Sequence, residues 1–277
     1  MPQSRDPLRA GGTRARGTPR APERLPLRRA ADGRGPVNTH SVLDDPDLAD
    51  WRAVRVVLVR HGESQGNAAA RFEGQTGPGL TPRGHAQARA IADGLVGRHG
   101  APDLVLASDL VRVSESAAPH LARTGLAARV DPRWREAAVG TWSGRGIREI
   151  AAEFPDAIRA LRRGEDVRRG GGETFAEVRV RVAAALDDAL APFAGTPVGS
   201  RHAVVVFTHG GPVRVATAEA MALPAGGHRG LDAPTNCSAT ELEFVLAGDG
   251  SRTTRLVAYN TPAPTLPEEA TCSPSSP

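Results

Sequence analysis

Two short runs of branched apolar residues constrain this chain most. Val54 to Val59 reads VRVVLV and Ala203 to Phe207 reads AVVVF. Runs of this length and β-branching read as strands, and the second is apolar without interruption, as when both sheet faces are covered. Helical patterns lie between and around them. Thr81 is placed to cap a helix with Pro82 in its first turn, and Ala88, Ile91, Ala92 and Leu95 recur at i, i+3, i+4 and i+7. Leu104 to Ala107 reads as another strand. A helix from about Leu110 to Arg123 follows, which Pro119 is expected to bend or shorten. Phe175, Val178, Val182, Ala185, Leu186 and Ala189 form one helical stripe. A further helix is expected from Gly210-Gly211-Pro212 to about Leu223, then strands at 242–246 and 256–259. This alternation predicts a three-layer α/β/α fold with a mainly parallel central sheet and helices on both faces.

Sheets of that kind bind ligands beyond the carboxyl ends of their strands. There the two apolar runs end, in Arg60-His61-Gly62-Glu63 and in Thr208-His209-Gly210-Gly211. Each glycine lets backbone approach a ligand, and a helix opening after Gly211 would aim free N–H groups at an anion. Arg112, in Ser108-Asp109-Leu110-Val111-Arg112, follows the strand at 104–107 and can reach the same edge. Two guanidiniums and two imidazoles at one edge suit a phosphate dianion. Arginine beside histidine also disfavours imidazolium and leaves a ring nitrogen free to attack. Glu136 is a candidate proton donor for a leaving oxygen, provided that partial burial raises its pKa toward neutrality.

The net charge of +4 on 277 residues invites a nucleic-acid reading, but its distribution opposes one. Residues 1–35 hold nine arginines and three acids, a balance of +6, so the rest of the chain carries −2. Residues 1–50 and 261–277, rich in Arg, Pro and Gly or in Pro and Ser, read as disordered tails around one domain at 51–260. No specific nucleic-acid partner is expected. No apolar run approaches the roughly 18 residues of a membrane span, so no membrane partner is expected either. The two cysteines, Cys237 and Cys272, make neither a metal motif nor a disulfide framework. With no apolar leader segment, they point to the reducing cytoplasm. The oligomeric state, a homo-oligomer included, is left open.

The ordered set of motifs resembles the histidine phosphatase superfamily, which includes cofactor-dependent phosphoglycerate mutases. It comprises Arg60-His61-Gly62-Glu63-Ser64 with Asn67, then Leu80-Thr81 with Gly84, Gln87 and Ala88. Ser108 to Arg112 follows, then Glu136 with Gly140-Thr141-Trp142-Ser143-Gly144, and Gly171-Gly172-Glu173-Thr174. Thr208 to Gly211 and Asn236-Cys237-Ser238 close the series. The resemblance spans about residues 54–260 and implies a phosphatase acting through a phosphohistidine on His61. Arg60, Asn67, Arg112, His209 and Gly210 would hold the phosphoryl oxygens, and Glu136 would serve as acid and then base. No metal and no cofactor are implied, and the substrate would be a small phosphorylated metabolite.

Two departures bear on the reaction. Residues 72–79 lack the Gly-Trp-x-Asp pattern of mutases, and the stretch between Glu136 and Gly171 lacks their Trp-Arg-Arg insertion. Both favour hydrolysis over the alternative, a cofactor-dependent phosphoglycerate mutase, because a mutase must exclude water. The segments around 72–79, 140–170 and 226–236 read as irregular. Arg162-Arg163 and Arg168-Arg169, flanking Glu165-Asp166, read as a solvated charged loop, with contact to an anionic substrate tail as the functional option. His85, His99, His120, His202 and His228 read as solvated or structural, and Asn67 could serve only to start a helix.

Overall fold

The computed structural model describes residues 51–263. Six strands form one sheet: β1 (Trp51–Arg60), β2 (Leu104–Ala107), β3 (Arg129–Val130), β4 (Arg201–Thr208), β5 (Ala239–Ala247) and β6 (Arg252–Thr261). Their order is β3-β2-β4-β1-β5-β6. The first four are parallel, and β5 and β6 add antiparallel to the free edge of β1. The sheet is therefore mixed, with its parallel half carrying the crossovers. The expected tail at 1–50 lies outside the described residues, as does that at 261–277 beyond residue 263; β6 continues to Thr261.

Alternation along the central strands sorts side chains to two faces. Val54, Val56 and Leu58 of β1 pack with α6 (Phe175–Leu190) and α7 (Gly210–Ala220). Val57 and Val59 pack with α2 (Pro82–His99) and α3 (Val111–Thr124). β4 divides the same way, Val204 and Val206 against Val205 and Phe207. Two faces both covered by helices explain the unbroken apolar run of β4, while the one charge inside the β1 run, Arg55, is paired with Glu241 and Glu243 of β5. Thr81 caps α2, its Oγ1 accepting from the Gly84 N–H at 3.0 Å. Thr174 and Glu177 form a reciprocal capping box on α6. Pro119 lies inside α3 without shortening it, and α7 stops at Ala220, short of Leu223.

The segment 140–170 is not irregular. It carries α4 (Ile147–Glu153) and α5 (Pro155–Arg162), after a four-residue α1 (Gln65–Ala68) earlier in the chain. Val139, Trp142 and Ile150 form a small core there, joined by Phe72, Phe154, Ile158 and Leu161. Each helix is under three turns long, too short for a periodic stripe, and its apolar face is completed by residues distant in sequence.

Candidate active site

Strand register brings the two histidines together. β1 and β4 pair in parallel with Arg60 opposite Thr208, so the next residues, His61 and His209, leave the sheet side by side. Their rings meet edge to face, centroids 5.1 Å apart. β2 pairs with β4 at Ala107–Phe207, which sets Ser108 beside His209. The Ser108 hydroxyl and His209 Nε2 are 3.0 Å apart, leaving buried Nδ1 without a partner among the described residues.

His61 is oriented through its backbone carbonyl and its ring. Its carbonyl accepts from the Asn236 side chain at 3.1 Å, and its Nδ1–H donates to the Gly62 carbonyl at 2.7 Å. That bond leaves the lone pair on Nε2, where the Arg112 Nε–H donates at 3.3 Å. Burial, then the Arg112 and Arg60 charges, hold the His61 imidazole well below its ordinary range. His209 is depressed likewise, by burial, Arg112, His61 and Arg60. Both rings are therefore neutral at pH 7.

The cations are clamped by the chain itself. Arg112 Nη1 donates to the Thr76 carbonyl at 2.7 Å and Nη2 to the Gly74 carbonyl at 2.6 Å. Arg60 Nη1 donates to the Pro234 carbonyl at 2.5 Å and Nη2 to Asn67 Oδ1 at 3.4 Å, while its buried Nε has no partner among the described residues. Asn67 Oδ1 also accepts from the Asn236 side chain at 2.9 Å. Asn67 starts a helix too, as the third residue of the capping box on Ser64. Gly62 N–H donates to Ser116 Oγ at 2.9 Å, and Glu63 N–H to Gln87 Oε1 at 2.8 Å, so α2 and α3 are both tied to this loop.

Glu136 faces this group from the opposite wall. Oε1 accepts from Ala137 N–H at 2.8 Å and Oε2 from Gly211 N–H at 3.1 Å. Arg181 of α6 pins the strand-like stretch behind it, donating to the carbonyls of Arg133 and Arg135 at 2.7 Å each and of Glu136 at 3.1 Å. Glu173 pairs with that guanidinium at 2.8 and 2.9 Å and accepts from Ala138 N–H at 2.8 Å.

Arg60, His61, Asn67, Arg112, Glu136 and Gly210 all line one cavity of about 310 Å³. His209 lies behind it, against His61. A larger cavity of about 550 Å³ between α6 and residues 225–229 shares only Phe175 with this one and holds none of these groups. Sequence reasoning missed several wall residues: Arg71, Glu73, Arg214 and the seat of Arg169. Buried Glu73 accepts from Ser64 Oγ at 2.5 Å and Gly66 N–H at 3.1 Å, with Oε2 3.8 Å from Arg112 Nε. Arg214 lies four residues beyond Gly210, a helical spacing that marks one face of α7. The charged loop splits: Arg162 and Arg163 are exposed and Arg168 pairs with Glu177, but Arg169 turns into the cavity. Gly170, at φ +55°, makes that turn, and a Cβ there would overlap the Val139 carbonyl.

Of the other histidines, His85 is exposed, His99 faces Glu241 and His202 faces Asp103. His120 is buried beside Phe207, and His228 stacks on Phe175 at 4.6 Å. Cys237 is a buried free thiol, pushed up to about 12 by burial. Among the described residues no helix is long and apolar enough to cross a membrane.

The model of the histidine phosphatase superfamily (branch 1) matches residues 56–258. Over 193 residues the chain is 34% identical to a glucosyl-3-phosphoglycerate phosphatase of Mycobacterium tuberculosis, covering 69% of this chain and 86% of that protein. Over 192 residues it is 35% identical to a probable phosphoglycerate mutase GpmB of an Enterobacter species, covering 69% and 85%. Among solved structures, a mycobacterial glucosyl-3-phosphoglycerate phosphatase in complex with inorganic phosphate superimposes with a TM-score of 0.67 at 32% identity, covering 76% of this chain and 98% of that one. Motif order, parallel strand register and these likenesses converge: the chain belongs to the histidine phosphatase superfamily.

Proposed function

We propose that the protein is a phosphatase that hydrolyses a small phosphomonoester through a phosphohistidine on His61. One observation carries this reading: a neutral His61 whose Nε2 lone pair faces Arg112 inside a cavity walled by Arg60, Asn67 and Glu136. His61 Nε2 attacks phosphorus, forming the N–P bond as the bond to the leaving oxygen breaks. Glu136 gives its proton to that oxygen. The resulting carboxylate then takes a proton from water, whose oxygen attacks phosphorus and releases phosphate from His61. Arg60, Arg112, Asn67, His209 and the Gly210 end of α7 hold the phosphoryl oxygens. Unpartnered Arg60 Nε and His209 Nδ1 support that assignment, since a buried polar atom without a partner is costly. Fixed guanidiniums supply the positive charge that the transfer needs.

The substrate is a phosphorylated metabolite, and the mycobacterial relatives make glucosyl-3-phosphoglycerate the first to assay. A reducing compartment, the cytoplasm, suits the buried free thiol of Cys237. The test is phosphate release together with mass spectrometry of quenched enzyme. Wild type should release phosphate and carry a phosphoryl adduct on His61, and His61→Ala should do neither. Release by His61→Ala at the wild-type rate refutes the reading. Glu136→Gln should slow alkyl phosphates by about 10²–10⁴-fold and p-nitrophenyl phosphate, whose leaving oxygen needs no proton, far less. Interconversion of phosphoglycerates outpacing phosphate release would instead favour the mutase.

A further inference from the structure

A cavity that holds a phosphoryl group needs donors, yet this one also presents a carboxylate beside them. Glu73 lines it together with His61 and Arg112, while the acid Glu136 stands on the opposite wall. The Glu73 carboxylate and the His61 lone pair lie against the same group. Arg112 Nε is 3.8 Å from Glu73 Oε2 and 3.3 Å from His61 Nε2. A phosphoryl group received by His61 Nε2 therefore comes up against Glu73. The side chain is fixed there by its surroundings. Oε2 accepts from Ser64 Oγ and Oε1 from Gly66 N–H, which leaves part of the about four lone-pair sites of a carboxylate free. A Cβ on Gly66 would overlap the Glu73 side chain, and one on Gly77 its Oε1. The Glu73 carbonyl accepts from Thr76 Oγ1 at 2.9 Å and Ser143 Oγ at 3.0 Å. Gly74 and Thr76 of the same turn clamp Arg112 through their carbonyls. Burial lowers the pKa of Arg60 and of Arg112, and the charges of Glu73 and Glu136 oppose that at both. A carboxylate seated among such donors repels a bare oxyanion and accepts a hydrogen bond from one that carries a proton.

We propose that Glu73 is a specificity-determining residue: its carboxylate accepts a hydrogen bond from a protonated phosphoryl oxygen, so that the site takes phosphate oxyanions carrying a hydrogen and turns away sulfate. This rests on the phosphatase reading above and names what the phosphoryl pocket selects. Orthophosphate near neutral pH keeps at least one O–H, whereas sulfate has none, and the two share size and tetrahedral shape. Arg60 and Arg112 cannot tell them apart, because a guanidinium donates to any oxyanion. Discrimination needs an acceptor on the protein, which pairs with the O–H of one anion and is left facing a bare oxygen of the other. Asn67 Oδ1, another acceptor lining the cavity, is already engaged by the Asn236 side chain at 2.9 Å.

The experiment titrates orthophosphate and sulfate calorimetrically into wild type, Glu73→Gln and Glu73→Asp. A pH of 8 makes both anions dianions, so that they differ in the hydrogen alone, and ionic strength is held constant. The readout is the ratio of the two Kd values. Wild type should favour orthophosphate by about tenfold or more, the scale of one hydrogen bond to a charged group. In Glu73→Gln the Gly66 N–H claims the amide oxygen and the amide N–H faces the anion. Sulfate should then bind more tightly than to wild type, and the ratio should fall near one. Glu73→Asp keeps a carboxylate and should keep a ratio above that of Glu73→Gln. A carboxylate that merely seats Arg112 and its turn would shift both anions together, so an unchanged ratio in Glu73→Gln overturns the proposal, as does a wild-type ratio near one. Should Glu73→Gln fail to fold, arsenate decides on wild type. It carries a hydrogen as orthophosphate does and should bind like it; binding no better than sulfate overturns the proposal. An intact preference in a wild type that releases no phosphate from p-nitrophenyl phosphate would overturn the phosphatase reading instead.

Discussion

His61 owes its reactivity to two atoms that are not its own. The Gly62 carbonyl takes the Nδ1 proton, and Arg112 faces the lone pair on Nε2. Glu136 depends in the same way on a residue with no side chain. A Cβ on Gly211 would overlap Glu136 Oε1 and lie 3.4 Å from the Phe175 ring. Gly211→Ala should therefore displace the acid while leaving the hydrophobic core untouched. Turnover of alkyl phosphates should drop by about 10²-fold, and p-nitrophenyl phosphate should be affected much less. An equal loss on both substrates would show that the methyl group acts on the phosphoryl pocket rather than on Glu136.

Among the elements, α6 does more than cover the sheet. Its capped N-terminus carries Glu173 just outside and Arg181 two turns in, and together they hold the acid-bearing stretch by its carbonyls and the Ala138 N–H. Arg181→Met should free the Arg133 and Arg135 carbonyls, leave that of Glu136 to the Gln75 side chain alone, and let Glu136 drift. We expect kcat to fall by about 10–100-fold with KM little changed, and a steeper dependence of rate on leaving-group pKa. Glu173→Gln keeps an acceptor for Ala138 and should be milder. A rise in KM with kcat unchanged would assign Arg181 to substrate binding instead. The role of Gly171-Gly172-Glu173-Thr174 becomes plain here, since sequence alone marks it only as a helix opening.

Across the whole molecule, buried histidines set the response to acid. Burial lowers the pKa of His61, His99, His120, His209 and His228, the last to about 4. Below the unfolded value of 6.5 the unfolded chain binds more protons than the folded one. Stability is therefore intact above that pH and declines as pH falls through it. At pH 5.5 His228 alone should cost on the order of 1 kcal/mol. Melting temperature should drop between pH 7.5 and 5.5, and His120→Phe, beside Phe207, should lessen the drop. A flat profile would mean that these rings protonate without unfolding the chain.

Five of the six strands, the faces of the long helices and the candidate site residues were legible in the amino-acid sequence; the two-residue β3 and the short α4 and α5 were not. Apolar runs, caps and His-Gly ends are local patterns with local causes. Val178, Val182 and Leu186 had to face a core wherever α6 lay, and parallel strands ending in histidine had to expose them at one edge. The tertiary structure alone decided which charges stay unpaired. Arg168 and Arg169 are neighbours in a chain whose basic residues are all arginine, yet one meets Glu177 and the other a cavity. Likewise Arg181 reads as one more arginine on a helix until the stretch 133–136 arrives against it. Ion pairing and burial depend on what the rest of the chain brings close, and no residue carries that information by itself.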